Sequence, residues 1–324
     1  MMTILVIVAV LMVIATGVQT LKVSELVAAS KGEKIYEVTD KQAKSQALLL
    51  MVFMFLFFGF FVWQCYNWWG LRLPVSASEH GEHYDNLMNI TLWIITPVFI
   101  ITHIFLFWFS YKYSHNSDRR GEYFTHSNKL EIIWTTVPAI GLAVLILYGL
   151  SLWNSIMAPI APEKEHVLIE LYAKQFDWTA RYAGEDGKLG RANFKLIEGM
   201  NALGVDSTDE HSADDRIIKG EFHLPVGKPV QFVFRAQDVM HSAYMPHFRA
   251  QMNCVPGLKT QFNFVPKITT KEMKEITKND DFEYVLICNK ICGAAHYNMQ
   301  MNIVVESQED YDKWLAEQKS FSGK

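Results

Sequence analysis

Four stretches of this chain carry no charged side chain at all: Met1–Leu21, Ser45–Leu71, Asn86–Tyr111 and Ile132–Pro162. Each is at least 21 residues long. About 20 apolar residues in helical form cross a hydrocarbon core of roughly 30 Å. Inside such a core every backbone N–H and C=O must bond within its own segment, so each run is expected to be a transmembrane helix. The average composition, 50% hydrophobic and 20% charged, hides this pattern. Residues 1–159 hold 10 Lys/Arg and 10 Asp/Glu, whereas residues 160–324 hold 20 and 24. The chain therefore reads as a four-helix membrane anchor followed by one extramembrane domain. A wholly soluble protein and a disordered chain are excluded. A net charge of −4 with no basic stripe excludes a nucleic-acid binder.

Loop charges set the expected orientation. The link between the third and fourth runs carries Lys112, Arg119, Arg120 and Lys129 against Asp118 and Glu122. The link between the second and third has Arg72 against Glu79, Glu82 and Asp85. The first link carries Lys22, Lys31, Lys34, Lys41 and Lys44. The positive-inside rule puts the first and third links in the cytoplasm and the second outside. The N-terminus and the C-terminal domain are then both expected on the outer, periplasmic side of an energy-conserving membrane of the bacterial inner-membrane type. Met1–Thr20 has no positive n-region, so it reads as a retained helix rather than a signal peptide. Trp63, Trp68, Trp69, Trp93, Trp108, Tyr111 and Tyr113 stand near expected membrane boundaries, where aromatic belts form. Packing against neighbouring helices would explain any one of them equally well.

Beyond Pro162 the pattern changes to short β segments: Glu165–Tyr172, Glu221–Leu224, Pro229–Arg235, Gln261–Val265, Glu283–Ile287 and Asn302–Glu306. Turn signals separate them, so an all-β Greek-key sandwich or barrel is expected, closed by a short helix at Asp310–Lys319. Residues 185–220 read as a long loop. The acids at its end (Asp206, Asp209, Glu210, Asp214, Asp215) read as a solvated face, or as a surface that steers a basic partner.

Chemistry concentrates in Cys288-Asn-Lys-Ile-Cys292-Gly-Ala-Ala-His296-Tyr-Asn-Met299. Two thiols, an imidazole and a thioether make a soft-ligand set of the kind used by copper electron-transfer sites, with a second histidine to come from elsewhere. A Cys288–Cys292 disulfide with His296 and Met299 as core residues is the bland alternative. Zinc would not need Met299, and an iron–sulfur cluster would want more thiolates.

These residues resemble the binuclear copper motif of subunit II of the haem–copper cytochrome c oxidases, Cys-x-Glu-x-Cys-Gly-x-x-His-x-x-Met. Asp238-Val-Met-His241-Ser, Met252-Asn-Cys-Val-Pro-Gly257, Leu130-Glu-Ile-Ile-Trp-Thr-Thr-Val-Pro138 and Lys174-Gln-Phe-Asp-Trp178 resemble further segments of that family, in order over about 86–306. The resemblance implies a cupredoxin-like domain at 160–324, a two-helix family anchor at 86–159 and an additional helix pair with its loops at 1–85. It implies a two-copper centre, CuA, bridged by Cys288 and Cys292. His241 and His296 would bind one copper each, with Met299 a weak ligand and the main-chain carbonyl of Lys290 the last donor. It implies an enzyme subunit that takes electrons from cytochrome c, or from a haem c domain, and passes them to haem in subunit I. Oxygen reduction and proton pumping would take place there. No Cys-x-x-Cys-His occurs, so no covalent c-type haem is expected in this chain. Residues 1–85 are expected to meet lipid and another membrane subunit or respiratory complex.

Three departures cluster where the family meets subunit I. Lys290 replaces a glutamate whose side chain binds magnesium, Asn253 replaces an aspartate, and Leu258 replaces an arginine. Lysine cannot ligate a metal while charged, so its ammonium is expected to stand in for the cation. Phe176 occupies the position of the family's electron-accepting tryptophan, and Trp178 is retained. By resemblance Glu131 matches the glutamate at the mouth of a proton pathway. As an acid in the first turn of a helix it would also gain at most about 1 kcal/mol from the helix dipole. His223 and His247 read as surface or packing residues, His103 as a helix–helix hydrogen-bonder, and Cys65 and Cys254 as free packed thiols. A copper-free quinol oxidase subunit would have no use for this donor set. A copper-delivery protein would not need the Glu131 and Trp178 segments. A nitrous oxide reductase would need a large propeller that this length cannot contain.

Overall fold

The computed structural model describes residues 2–32, 38–161 and 163–322, with side-chain environments from residue 8 onward. Met1, residues 33–37 with the expected loop cation Lys34, Pro162 and residues 323–324 lie outside the described residues. Four long helices come first: α1 (Met2–Ser30), α2 (Asp40–Trp68), α3 (Glu79–Lys112) and α4 (Asn128–Met157). All four are long and apolar enough to cross a membrane. Their apolar side chains face outward, as with Trp93 at 80% exposure, which is the pattern of a lipid-facing helix and not of a soluble core. A capping box starts α2: Thr39 Oγ1 accepts from Gln42 N, and the Gln42 side chain accepts from Thr39 N.

The chain divides into two packing units, Met1–Trp69 with Ile95–Ser127, and Gly70–Ile94 with Asn128–Lys324. In the first, Phe53, Phe57 and Phe61 of α2 pack on Phe99, His103 and Phe107 of α3. The expected helix–helix hydrogen bond of His103 is corrected here. Its Nδ1 faces Phe99 O of its own helix at 2.7 Å, and it meets α2 by stacking on Phe57.

The second unit contains a sandwich of two five-stranded sheets. One has the order β3-β2-β1-β5-β8 and the other β4-β10-β9-β6-β7. The strands are β1 (Val167–Lys174), β2 (Asp177–Tyr182), β3 (Arg216–Ile218), β4 (Glu221–Pro225), β5 (Val230–Ala236), β6 (His241–Met245), β7 (Ala250–Cys254), β8 (Thr260–Phe264), β9 (Tyr284–Cys288) and β10 (Gln300–Glu306). β5 and β9 alternate buried and half-buried residues, so each sheet turns one face to a shared core. Phe222 and Phe232 meet across that core, their ring centroids 6.2 Å apart. Two helices, α5 (Thr270–Thr277) and α6 (Gln308–Glu317), cap the sandwich. The all-β expectation holds, and α6 lies two residues ahead of its expected span.

Four strands, β2, β3, β6 and β7, were not expected from sequence. β2 reads as polar because it holds Asp177, Thr179 and Arg181, yet five of its six residues are buried. The reason is the 184–215 segment, which covers the outer face of β1 and β2. Arg181, with a side chain only 2% exposed, bonds Glu170 Oε2 at 2.8 Å and Asp215 Oδ2 at 2.9 Å. The solvated acidic face is therefore corrected in part, since Glu210 stays exposed. Asp215 is buried and ion-paired, Asp206 and Asp209 pair with Arg191, and Asp214 accepts from Asp186 N. His223 is a packing residue, stacked on Trp314 at 3.9 Å and bonded to Glu306.

The link before α3 is woven into the same unit. Ala77 N donates to His247 O, Glu79 N to Val265 O and Lys267 N to Ala77 O. Ser78 Oγ donates to Phe248 O at 2.7 Å. At the end of α4, Gln261 Nε2 caps Met157 O at 2.7 Å, and Asn263 Nδ2 caps Ala158 O.

Candidate metal centre

One end of the sandwich gathers the soft donors. β9 ends at Cys288. The chain then turns through Cys292 and a short 3₁₀ turn at His296–Asn298 before Met299 leads into β10. Cys288 N donates to Met299 O at 3.0 Å, which closes this loop at its base. Asn289 N donates to Ser242 O, tying the loop to β6. β6 begins with His241, which is fully buried.

Cys288 Sγ and Cys292 Sγ lie 3.9 Å apart. That is too far for a disulfide bond of about 2.05 Å, and the four cysteines are free. His241 Nδ1 is 3.8 Å from Cys288 Sγ, and His296 Nδ1 is 3.5 Å from Cys292 Sγ. Met299 Sδ is 3.8 Å from Cys292 Sγ, and Lys290 O is 3.2 Å from Cys288 Sγ. Donors held at about 2.0–2.3 Å by one tetrahedral ion lie roughly 3.3–3.8 Å apart. The spacing and softness of this set therefore fit a thiolate-bound metal. His241, Cys288 and Cys292 put their ligand atoms within 4.8 Å of one another. Burial and the neighbouring Cys288 thiol push the Cys292 thiol up to about 11, so a bound cation must supply the stabilisation that makes it a thiolate.

Surrounding groups hold the donors in place. His241 Nε2 faces Asp238 Oδ1 at 2.8 Å, so the proton belongs on Nε2 and the lone pair of Nδ1 faces the thiols. Burial alone would raise the Asp238 carboxyl. Bonds from Gln175 N, His241 and Val239 N outweigh it and hold the group below its ordinary range. Gln175 Nε2 donates to Cys292 O. Gly293 lies beneath this turn at φ +142, and a Cβ there would come within 2.8 Å of both Gln175 Nε2 and the Phe176 ring. Only glycine fits that approach.

Phe176 is half-buried in the β1–β2 turn against this loop, and Trp178 is buried with Nε1 donating to Met299 O at 3.4 Å. The Trp178 ring stands 6.3 Å from that of His241. Both aromatics thus meet the donor loop. Glu131 does not: it is exposed in the first turn of α4. Lys290, Asn253 and Leu258 are exposed. Sequence reasoning missed Gln175 and Gly293 as loop-holding residues, and it missed the placement of Cys254. That thiol stands directly opposite His241 in the β6–β7 register, fully buried and pushed up to about 12 by burial. All three lie inside segments that carry the family resemblance, which was the signal that could have pointed to them.

A family model described as Cytochrome C oxidase subunit II, transmembrane domain, matches residues 66–152. A second, Cytochrome C oxidase subunit II, periplasmic domain, matches residues 167–308. The alternative cytochrome c oxidase subunit 2 of Bradyrhizobium diazoefficiens is 34% identical over 277 residues, covering 85% of this chain and 91% of that protein. Cytochrome c oxidase subunit 2 of Thermostichus vulcanus is 26% identical over 274 residues, 77% of this chain and 79% of that one. Its counterpart in a Synechocystis species is 25% identical over 268 residues, 77% of each.

Proposed function

This chain belongs to the cytochrome c oxidase subunit II family, and from that premise we propose that its β-domain is the electron-receiving module of a terminal oxidase. The observation that supports this most is the pairing of the donors. His241 sits beside Cys288 and His296 beside Cys292, with the two thiols between them. One histidine for each sulfur suits a binuclear CuA centre better than a single closed zinc site. Cys288, Cys292, His241 and His296 would hold the copper, with Met299 and the Lys290 carbonyl completing the donor set. Such a centre stores and releases single electrons with no bond made or broken.

The protein's own part is to keep these donors still. Asp238 orients His241, Gln175 anchors Cys292, and the β9–β10 loop is closed at Cys288 N. Donors that do not rearrange between redox states lower the cost of each transfer. Phe176 and Trp178 take the electron from cytochrome c, or from a haem c domain of a partner, and haem in subunit I receives it next. Oxygen reduction and its coupling to proton pumping belong to subunit I, with Glu131 offering a proton-uptake group at the start of α4. The exposed Lys290 ammonium takes the place of a magnesium ion at the subunit I boundary. Stoichiometric magnesium or manganese bound beside residue 290 would refute that last assignment.

Four spans would put the N-terminus and the β-domain on one side, and the loop charges support the outer, periplasmic one. Residues 1–65 precede the region matched by both family models, and α1 and α2 there would dock another membrane subunit.

The direct test loads the full-length protein with copper. Two coppers per chain sharing one unpaired electron by EPR are expected, and a single copper or none overturns the assignment. A copper-free quinol oxidase subunit is the second reading, and the assembled donor set speaks against it.

A further inference from the structure

A cleft of about 750 Å³ opens where the first turn of α3 and the last turn of α4 meet the edge strand β8. Glu79, His80, Glu82 and His83 line it from α3. Leu152, Ser155 and Ile156 line it from α4, and Asn263 and Lys267 complete it from the β8 side. Both helices are long and apolar enough to cross a membrane and end at this level, which would put the cleft near headgroup depth.

Two of its side chains are buried and incompletely bonded. His80 is 8% exposed, and its Nε2 faces the Arg249 carbonyl at 3.4 Å. A carbonyl only accepts, so Nε2 carries the proton and Nδ1 of the neutral ring is an acceptor, with no partner. Asn263 is 7% exposed; its Nδ2 is used on Ala158 O, and its Oδ1 has no partner. A buried acceptor left unmade costs roughly 1–3 kcal/mol. Both atoms therefore call for a hydrogen-bond donor brought in from outside the chain.

The charges narrow the donor. Glu82 is used on Lys267 at 2.6 Å. The Glu79 carboxylate and the Lys164 ammonium remain without an ion-pair partner among the described residues. Two neutral acceptors and a carboxylate suit a primary ammonium, and the lysine suits a phosphate. An apolar wall beside them suits acyl chains. We propose that this cleft binds the headgroup of a phospholipid with a primary amine, of the phosphatidylethanolamine kind. A choline headgroup has no N–H to offer the two acceptors, and a glycerol headgroup has no cation for Glu79.

The test uses the full-length protein, delipidated and then offered equal amounts of phosphatidylethanolamine, phosphatidylcholine and phosphatidylglycerol, with retained lipid read by native mass spectrometry. One phosphatidylethanolamine is expected to remain, preferred about ten-fold, which is what one charge-assisted hydrogen bond contributes. Asn263→Leu should abolish the preference and Asn263→Asp, which keeps an acceptor, should retain it. Lys164→Ala changes an exposed residue, so its loss of retention would not reflect misfolding. Soluble glycerophosphoethanolamine should fail to compete, because the acyl chains contribute. Competition by it at equal concentration would show a site for the free headgroup instead. Equal retention of all three lipids, untouched by these substitutions, means annular lipid only and overturns the proposal. A photo-crosslinker at position 164 in the assembled oxidase should yield a lipid adduct. A peptide adduct from a neighbouring subunit would assign the cleft to that subunit and also overturn it.

Discussion

Arg249 grips Asp85 with both arms of its guanidinium: Nε meets Oδ1 and Nη2 meets Oδ2, each at 2.8 Å, across 164 residues of sequence. Arg249 also donates to Pro246 O and Pro74 O, and its own backbone takes the left-handed conformation at φ 52. The pair ties the first turns of α3 to the turn between β6 and β7. The Arg249 side chain is only 3% exposed. Asp85→Ala should therefore destabilise this unit by about 3 kcal/mol, because it leaves a buried cation unpaired. Thermal unfolding followed by tryptophan fluorescence measures it. A loss below 1 kcal/mol would show that the two carbonyls suffice for Arg249.

Copper capture should depend unequally on the donors. Cys288→Ser, Cys292→Ser and His241→Ala are each expected to abolish the two-copper stoichiometry. Met299→Leu should keep both ions and alter only the EPR spectrum, since a thioether is a weak, distant ligand in sites of this type. Copper analysis beside EPR separates the two classes. Loss of copper in Met299→Leu would show that the thioether holds the centre together.

Phe176 packs on the donor loop without supplying a donor. Phe176→Ala should slow electron uptake from the reduced donor about tenfold, equivalent to roughly 1.4 kcal/mol of barrier, at unchanged copper content. Phe176→Trp should restore uptake. Stopped-flow reduction is the measurement, and an unchanged rate in Phe176→Ala would move the role to Trp178 or another aromatic.

Asp215 tests what the acidic segment does. Its carboxylate is fully buried against Arg181, so Asp215→Asn should cost about 3 kcal/mol of stability by leaving Arg181 short of a counter-charge. The salt dependence of donor turnover should not change. A flattened salt dependence at full stability would restore the steering role.

His247 packs edge-on against Phe282 and Tyr284. Burial, helped by the nearby Arg249 charge, lowers it to about 4. The unfolded chain binds this proton near pH 6.5 and the folded one only near 4. Its contribution is therefore complete above about pH 6.5 and is lost as the pH falls towards 4, with about one proton taken up on unfolding. Denaturation midpoints at pH 7 and pH 5 should differ less in His247→Asn than in the native protein.

Much of this molecule is legible in its residues, because membrane spans and metal loops are local patterns. The four charge-free runs became four helices, and the Cys288–Met299 spacing became one cluster. What stayed hidden is compensation between distant residues. Glu170, Arg181 and Asp215 look solvent-bound one by one, and only their mutual pairing lets β1 and β2 be covered on both faces. Gln175 reaches Cys292 across 117 residues, which no short motif encodes. The same holds for His103, where helical spacing could not tell a bond to α2 from a bond to Phe99 O.

The closure of Cys288 N on Met299 O also has a meaning in time. The donors are spread from β6 to the first residue before β10, and the loop takes shape only once β10 lies between β4 and β9. A nascent chain stopped short of residue 300 holds every ligand and no pocket to put them in. Metal delivery to this protein would thus be a late event, after the final strand has been synthesised and paired. An insertion machine or copper donor acting on the growing chain would find nothing to fill.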